Sequence, residues 1–400
     1  MTIRQRDSTS QGRCAFEVEL AEIEAQGLLR KTKLIDGAIG PRVSLDGRET
    51  VLLCTNDYLG LANHPSVKQA AREALEKYGA GAGASRLVSG TLPPHAKLEA
   101  ALARFKGTEA ALVFGSGYLA NLGIVSALET QGDVIYSDEL NHASIVDACR
   151  LSRATTKVFR HADTDALEAM LANDLAYGRR LIATDGIFSM DGDIAPLPKL
   201  AALAAEYDCC LMVDDAHATG VIGPGGKGTA AHFGLGGSID IQMGTLSKAL
   251  GSYGAFVAGS RDLVDFLVNR ARSFIFTTAL PPASAAAAFE ALNIIEREPE
   301  RSERLWQNAS LLKDGLVSGG FDAGASETFI IPVIIGDARQ CVRMAEALLE
   351  EGVFAQAIRP PSVPEGTSRL RVVPTSEHLP SDIGFAIEAF KRAGKRCGIV

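Results

Sequence analysis

The sequence predicts an α/β fold, with a mainly parallel, doubly wound sheet in a large domain and a smaller α+β domain after it. Three observations carry this reading. Apolar runs at 111–114, 134–137, 181–184, 210–213 and 254–258 each adjoin a helical pattern of ten or more residues. Strands that alternate with helices in this way pair in parallel under helices on both faces. Polar groups gather just past those runs: Ser116, Asp138 to His142, Asp185 to Ser189, Asp214 to His217, and Lys248. Ligands of such sheets sit beyond the carboxyl ends of the strands, so these groups can share one crevice. Lastly, 400 residues exceed one typical domain and leave ample length for a large core.

Read in order, residues 17–30 predict an amphipathic helix, followed by extended segments at Arg42-Val-Ser-Leu and Val51-Leu-Leu-Cys. Asn56-Asp-Tyr-Leu-Gly60 is turn-rich. Residues 65–78 predict a helix, because Val67, Ala70, Ala71, Ala74, Leu75 and Tyr78 recur at three-and-four spacing. Pro65 suits its first turn and Gly79 its end. The alternating region then runs from about residue 110. Beyond it, Phe329 to Ile335 and Ser368 to Val373 predict strands, and 339–351 and 380–396 predict helices. Charges cluster around Pro299, which divides the chain into an N-terminal segment 1–55, a large domain 56–298 and a small domain 299–400.

Composition narrows the function. Hydrophobic content of 46% and charged content of 22% suit a globular protein. A net charge of −8 gives no electrostatic case for nucleic acid or an anionic membrane. Thr2 to Arg13 lacks an apolar signal core, and no apolar run approaches the ~20 residues that span a bilayer. The seven cysteines form no C-x-x-C pair, so a reducing cytoplasm is expected, with neither a disulfide framework nor a metal site.

The chemistry centres on Lys248, in Met243-Gly-Thr-Leu-Ser-Lys-Ala-Leu-Gly251. An amine among small and hydroxyl residues after an apolar run suits a Schiff base with a carbonyl cofactor. Upstream, Leu211-Met-Val-Asp-Asp-Ala-His217 ends in two carboxylates and a histidine. A Schiff-base lysine with a carboxylate partner for a pyridinium nitrogen is the pattern of pyridoxal phosphate chemistry. Phe114-Gly-Ser-Gly-Tyr118 follows a strand and opens a helix, which suits phosphate and equally suits a plain strand–helix turn. His142 can stack on a flat ring or simply start a helix. Ser189 and His217 can bond a ring oxygen, and Thr245 a phosphate oxygen. Arg359 and Arg371 can grip a carboxylate in two-pronged fashion, or pair with acids at the surface.

Together these segments resemble the α-oxoamine synthases, fold-type I pyridoxal phosphate enzymes that condense an amino acid with an acyl thioester and release carbon dioxide. The resemblance runs from about residue 28 to 395. Its motifs are Asn56-Asp-Tyr-Leu-Gly60, Phe188-Ser-Met-Asp-Gly192, Val213-Asp-Asp-Ala-His217 and Thr245-Leu-Ser-Lys248. It implies a sheet of the seven-stranded type. It also implies catalytic roles for Lys248, which bonds the cofactor, Asp214, which pairs with the ring nitrogen, and His142, which stacks on the ring. Ser189 and His217 then address the ring oxygen, and Gly117, Tyr118 and Thr245 hold the phosphate. Thr277 would reach the phosphate from a neighbouring subunit, so the resemblance implies a homodimer with a shared site. Arg359 and Arg371 become the carboxylate pair, while Arg30, Asn56 and Ser362 match substrate-side positions. The second substrate would be an acyl-CoA or an acyl carrier protein. Within the family, Ile358-Arg-Pro-Pro-Ser-Val-Pro-Glu-Gly-Thr367 is most similar to the branch that joins L-alanine to a pimeloyl thioester for biotin biosynthesis. Thr184-Asp-Gly186 is more similar to the glycine acetyltransferase branch.

Overall fold

The structure is a computed structural model that describes residues 16–174 and 178–400. Cys14 and the opening stretch of the expected 1–55 segment lie outside the described residues. Seven strands form the large sheet, in the spatial order Ala110–Phe114, Ala255–Gly259, Ile241–Thr245, Cys210–Asp214, Arg180–Asp185, Val134–Asp138 and Thr155–Phe159. Ala255–Gly259 runs antiparallel to both of its neighbours. The pairings from Ile241–Thr245 to Thr155–Phe159 are all parallel. Parallel neighbours need a long crossover, whereas an antiparallel pair can be joined by a short loop. The one short join, between Thr245 and Ala255, carries Lys248.

One of these strands is faint in the sequence, and another is interrupted. Thr155–Phe159 is the outer strand, and only Phe159 of its five residues is buried, so its polar residues hide the apolar signal. Ile241–Thr245 is fully buried but is interrupted by Gln242 and Gly244. Gly244 is required because a Cβ there would lie 2.6 Å from the Phe256 ring on the paired strand. Side chains on the two faces fill separate cores: Ile135, Ala183 and Met212 on one, and Tyr136, Ile182 and Val213 on the other. Both faces are therefore covered, as a parallel sheet requires.

The first helix covers Phe16–Ala25 and stops short of the expected residue 30. Gly27, at φ 70°, ends it in the left-handed conformation, with Leu28 N–H donating to the Ile23 carbonyl. This helix buries no residue, and Phe16 is 65% exposed. Pro65–Tyr78 is a helix, as its spacing predicts. Arg42–Leu45 and Arg48–Leu52 form a hairpin across Asp46-Gly47, both at positive φ, and Arg48–Leu52 also pairs in parallel with Val353–Phe354. The N-terminal strands thus belong with the C-terminal part of the chain. There, Ile331–Gly336, Ser368–Val372 and Gln356–Ile358 make a three-stranded antiparallel sheet. The expected strand at Phe329 starts two residues later, because Phe329 and Ile330 are drawn into the core of the large sheet. Helices end and restart at Glu298 and Pro299. The helix Glu300–Ser318 then puts Leu305 and Ala309 in the same core as Phe329 and Ile330, and Leu312 and Leu316 in a C-terminal core with Ile331 and Val333.

A buried ion pair lies beside the end of the strand Cys210–Asp214. Lys106 Nζ donates to Asp215 Oδ2 at 2.8 Å and to the Lys227 carbonyl at 2.6 Å. Asp215 also accepts from the Thr229 hydroxyl at 2.5 Å. Both side chains of the pair are at most 1% exposed. Removing one partner of such a pair strands the other, at a cost of about 3–5 kcal/mol. Lys106→Met is therefore expected to lower the urea midpoint by that equivalent. The double variant Lys106→Met/Asp215→Leu should recover a large part of the loss, and equal losses in single and double variants would refute this account of the pair.

Candidate active site

The strand ends deliver their polar groups to one cavity of about 170 Å³, lined among others by Gly117, Tyr118, Asn121, His142, Asp185, Ser189, Asp214, His217, Thr245 and Lys248. Asp214 closes its strand and is buried. Its carboxylate accepts from Asn121 Nδ2 at 2.7 Å and from the Ala216 amide at 2.9 Å. These donors fix its direction. Asp185 sits beside it on the adjacent parallel strand, in register. Burial, and then the charge of Asp214, hold the Asp185 carboxyl well above the usual carboxylate range. One of its oxygens, Oδ2, accepts the His142 amide at 2.8 Å.

His142 caps the helix Ala143–Ser152, with Nδ1 accepting from the Ser144 amide at 3.2 Å. Burial lowers its pKa, partly offset by Asp214, so a neutral ring walls the cavity. Lys248 is held by its loop: Gly251 N–H donates to the Lys248 carbonyl, and Leu246 N–H to the Gly254 carbonyl. Its Nζ lies 2.8 Å from His217 Nε2. Burial brings its pKa down from 10.5 to about 8, against the pull of Asp214. An amine in that range supplies a neutral nucleophile near physiological pH.

The groups fit pyridoxal phosphate. At Gly117, which opens the helix Gly117–Leu128, a Cβ would lie 2.9 Å from Thr245 Cγ2, so only glycine leaves the helix start clear for a phosphate. Asn121 Oδ1 is buried without a partner, a polar atom facing the same cavity lining. Asp214 and Lys248 supply the anion and the amine that the ring and its carbonyl need.

Some expected residues lie elsewhere. Tyr118 lines the cavity but is 44% exposed, and its hydroxyl donates to Asp147 rather than facing a phosphate. Arg371 lies near the cavity: it donates to Asn56 Oδ1 at 3.2 Å and to the Tyr58 hydroxyl at 3.3 Å, and Tyr58 in turn touches His217. Arg359 is not brought to Arg371. Its guanidinium is spent on the carbonyls of Gly27 and Leu29, and it lines a separate cavity with Arg30. The expected arginine pair is therefore split, because the Gly27 bend folds the N-terminal segment over Arg359. Arg30 is exposed and donates to the Pro360 carbonyl at 3.3 Å. Ser362 is exposed, and Thr277 lies beside Phe276, which is 70% exposed. Neither lines the cavity. Asn121, Ser144 and Tyr58 were not anticipated as site residues. Asn121 did carry a signal, as the lone polar residue of Tyr118-Leu-Ala-Asn-Leu-Gly-Ile-Val125.

A lysine amine, a pyridinium-type carboxylate partner and a flat histidine at the strand ends define a pyridoxal phosphate enzyme of fold type I. A sequence model of the family "Aminotransferase class I and II" matches residues 48–390, and the chain belongs to that family. Within it, the chain is 55% identical over 384 residues to the 8-amino-7-oxononanoate synthase of Geobacter sulfurreducens, covering 96% of this chain and 98% of that one. The enzyme of the same name from Thermoanaerobacter pseudethanolicus is 49% identical, with 96% and 97% covered. Among solved structures, a serine palmitoyltransferase of Sphingomonas wittichii superposes with a TM-score of 0.93 at 34% identity, covering 99% of this chain and 100% of that one. The 8-amino-7-oxononanoate synthase of Francisella tularensis gives 0.75 at 28% identity, with 87% and 98% covered. The chain is a pyridoxal-phosphate-dependent acyltransferase of the α-oxoamine synthase type.

The lowered pKa of Lys248 sets an expectation for cofactor loading. The neutral amine reacts and the ammonium does not, so the loading rate of the cofactor-free chain should rise with pH to half-maximum near 8. A half-maximum near 10.5, the ordinary lysine value, would show that the amine is not desolvated as described.

Proposed function

We propose that the chain joins L-alanine to a pimeloyl thioester, giving 8-amino-7-oxononanoate, carbon dioxide and the free thiol, a step of biotin biosynthesis. The observation that carries this is identity of 46–55% across 96% of the chain to synthases of that name, combined with the Lys248–Asp214–His142 cavity. Serine palmitoyltransferases share the fold closely but at only 34–36% identity. A glycine C-acetyltransferase is the second reading, favoured by Asp185 alone.

When bound, pyridoxal phosphate supplies an electron sink for the pair left on Cα. The chain's own groups do the rest. Arg371, beside Asn56, grips the substrate carboxylate through a charge-assisted pair. Lys248 takes the Cα proton and later returns one. Asp214, fixed by Asn121, offers the anion that keeps a ring nitrogen protonated. His142 presents a neutral ring that can donate to the thioester oxygen. In total, a Cα–H bond and a C–S bond break, a C–C bond forms to the acyl carbon, the carboxylate leaves as carbon dioxide, and Cα regains a proton. Residues Gly117, Thr245, Ser189 and His217 hold the cofactor, with Thr277 acting from a second subunit. Arg30, Ser362 and Arg359 belong to the acyl-side approach. The thioester carrier is coenzyme A or an acyl carrier protein, and the setting is cytoplasmic. Among the described residues no helix is long and apolar enough to cross a membrane, and six cysteines are free.

Lys248→Ala should abolish carbon dioxide release while leaving the far-ultraviolet circular dichroism unchanged. Alanine with pimeloyl-CoA should exceed glycine with acetyl-CoA in kcat/KM by at least about tenfold, roughly what one methyl in a fitted pocket supplies. A clear preference for glycine with acetyl-CoA would instead support the second reading. Sedimentation should show a dimer. Mixing inactive Lys248→Ala chains with inactive Thr277→Ala chains should restore part of the activity, and no recovery in a demonstrated mixed dimer would refute a shared site.

A further inference from the structure

The Asn56–Gly60 turn places Tyr58 where the functional reading assigns it nothing. Tyr58 is fully buried, and its ring packs on Phe329 with centroids 4.7 Å apart. The turn itself is pinned. Asp57 accepts the Leu61 amide at 2.9 Å, and Gly60 adopts φ 66° where a Cβ would lie 2.3 Å from Glu377 Cγ. Three groups converge on the Tyr58 hydroxyl: His217 Nδ1 at 2.6 Å, Asn56 Oδ1 at 3.1 Å and Arg371 Nη2 at 3.3 Å. His217 Nε2 meets Lys248 Nζ at 2.8 Å.

A phenol has one proton to give and two lone pairs to receive with. Arg371 can only donate, and Asn56 Oδ1 can only accept. His217 can do either at Nδ1, with the opposite role at Nε2. Two complete arrangements follow. When Lys248 is an ammonium it donates to Nε2, the ring proton sits on Nδ1 and is given to Tyr58, and Tyr58 gives its own proton to Asn56. When Lys248 is a neutral amine, Tyr58 gives its proton to Nδ1, and Nε2–H is given to the lysine's lone pair. Every group is paired in both. Passing from the first to the second, one proton leaves to solvent, and His217 and Tyr58 each keep one.

We propose that Tyr58 is a positioning residue whose hydroxyl turns between Asn56 and His217, switching the His217 ring proton from Nδ1 to Nε2 when Lys248 loses its ammonium charge. The switch gives His217 an acceptor while the lysine is free and a donor once a ring oxygen must be met. Its value in turnover rests on the function proposed above, while the proton arrangement itself does not. The charged and titratable groups facing this chain are Asp214, Asp185 and His142 around Lys248, and Arg371 beside Tyr58. Burial keeps the Tyr58 phenol protonated and His217 uncharged, so both remain in the forms the switch needs.

The test is nitrogen NMR of the full-length, cofactor-free chain labelled in histidine, with the His217 signals assigned by His217→Gln. Between pH 6 and 10 the two ring nitrogens of His217 should exchange character, with a midpoint near the Lys248 value of about 8. Asn56→Leu removes the alternative acceptor and should hold the Nε2–H form at every pH. Tyr58→Phe keeps the ring on Phe329 but strands Nδ1, and should move the midpoint by at least about one pH unit, since a buried N–H without an acceptor is disfavoured. It should also lower kcat/KM for alanine by about 10- to 100-fold, the size seen when an orienting partner is lost. One tautomer at all pH values in the unaltered chain overturns the proposal. So do both variants titrating as the unaltered chain does. Reversal in a chain that does not turn over alanine with pimeloyl-CoA would support the switch and remove the functional reading.

Discussion

The structure depends on keeping an amine and two carboxylates together in one small cavity. Lys248, Asp214 and Asp185 approach from adjacent connections of one sheet, and burial is the largest influence on both Lys248 and Asp185. Solvation alone would leave the amine charged and both acids ionised. Instead the sheet gives Asp214 two directed donors and Asp185 one, and burial with the charge of Asp214 holds the Asp185 carboxyl well above the usual carboxylate range, so the neighbouring acids separate in character. Everything around them serves that separation: Asn121 anchors Asp214, the His142 cap anchors Asp185, and the Lys106–Asp215 pair seats the loop that passes beneath. Lys106 and Asp215 also show why adjacent aspartates differ. Asp214 is turned to the cavity, and Asp215 is turned inward to a lysine of its own.

Much of this was legible because the chemistry lies at strand ends, and strand ends are visible as apolar runs that stop at polar residues. Lys248, Asp214, His142 and His217 each follow such a run, and the structure gathers them around one cavity. The helix at Pro65–Tyr78 was legible from spacing plus its proline and glycine punctuation. What stayed hidden depended on distance in the chain. Arg359 and Arg371 are 12 positions apart and looked like partners, yet Arg371 reaches Asn56 while Arg359 is taken by carbonyls some 330 residues away. Sequence proximity says nothing about which segment folds over a guanidinium. The strand Thr155–Phe159 was missed for the converse reason: an outer strand half-exposed to water has no need of an apolar run.

The N-terminal segment is tied to the C-terminal core. Its hairpin pairs with Val353–Phe354, and its Gly27 bend lays backbone across Arg359. The helix Glu300–Ser318 spans both cores with one face. Two cores joined by a shared helix resist sliding past one another.

The antiparallel strand of the large sheet has a bearing on how the lysine moves. Because Ala255–Gly259 returns directly alongside Ile241–Thr245, the loop between them is clasped by backbone bonds at Leu246, Gly251 and Ser252. A helical crossover would have let that loop open by itself. The bonds of Leu246 and Ser252 carry the strand pairing into the loop, so these two amides are expected to exchange with solvent more slowly than those of an unbonded loop.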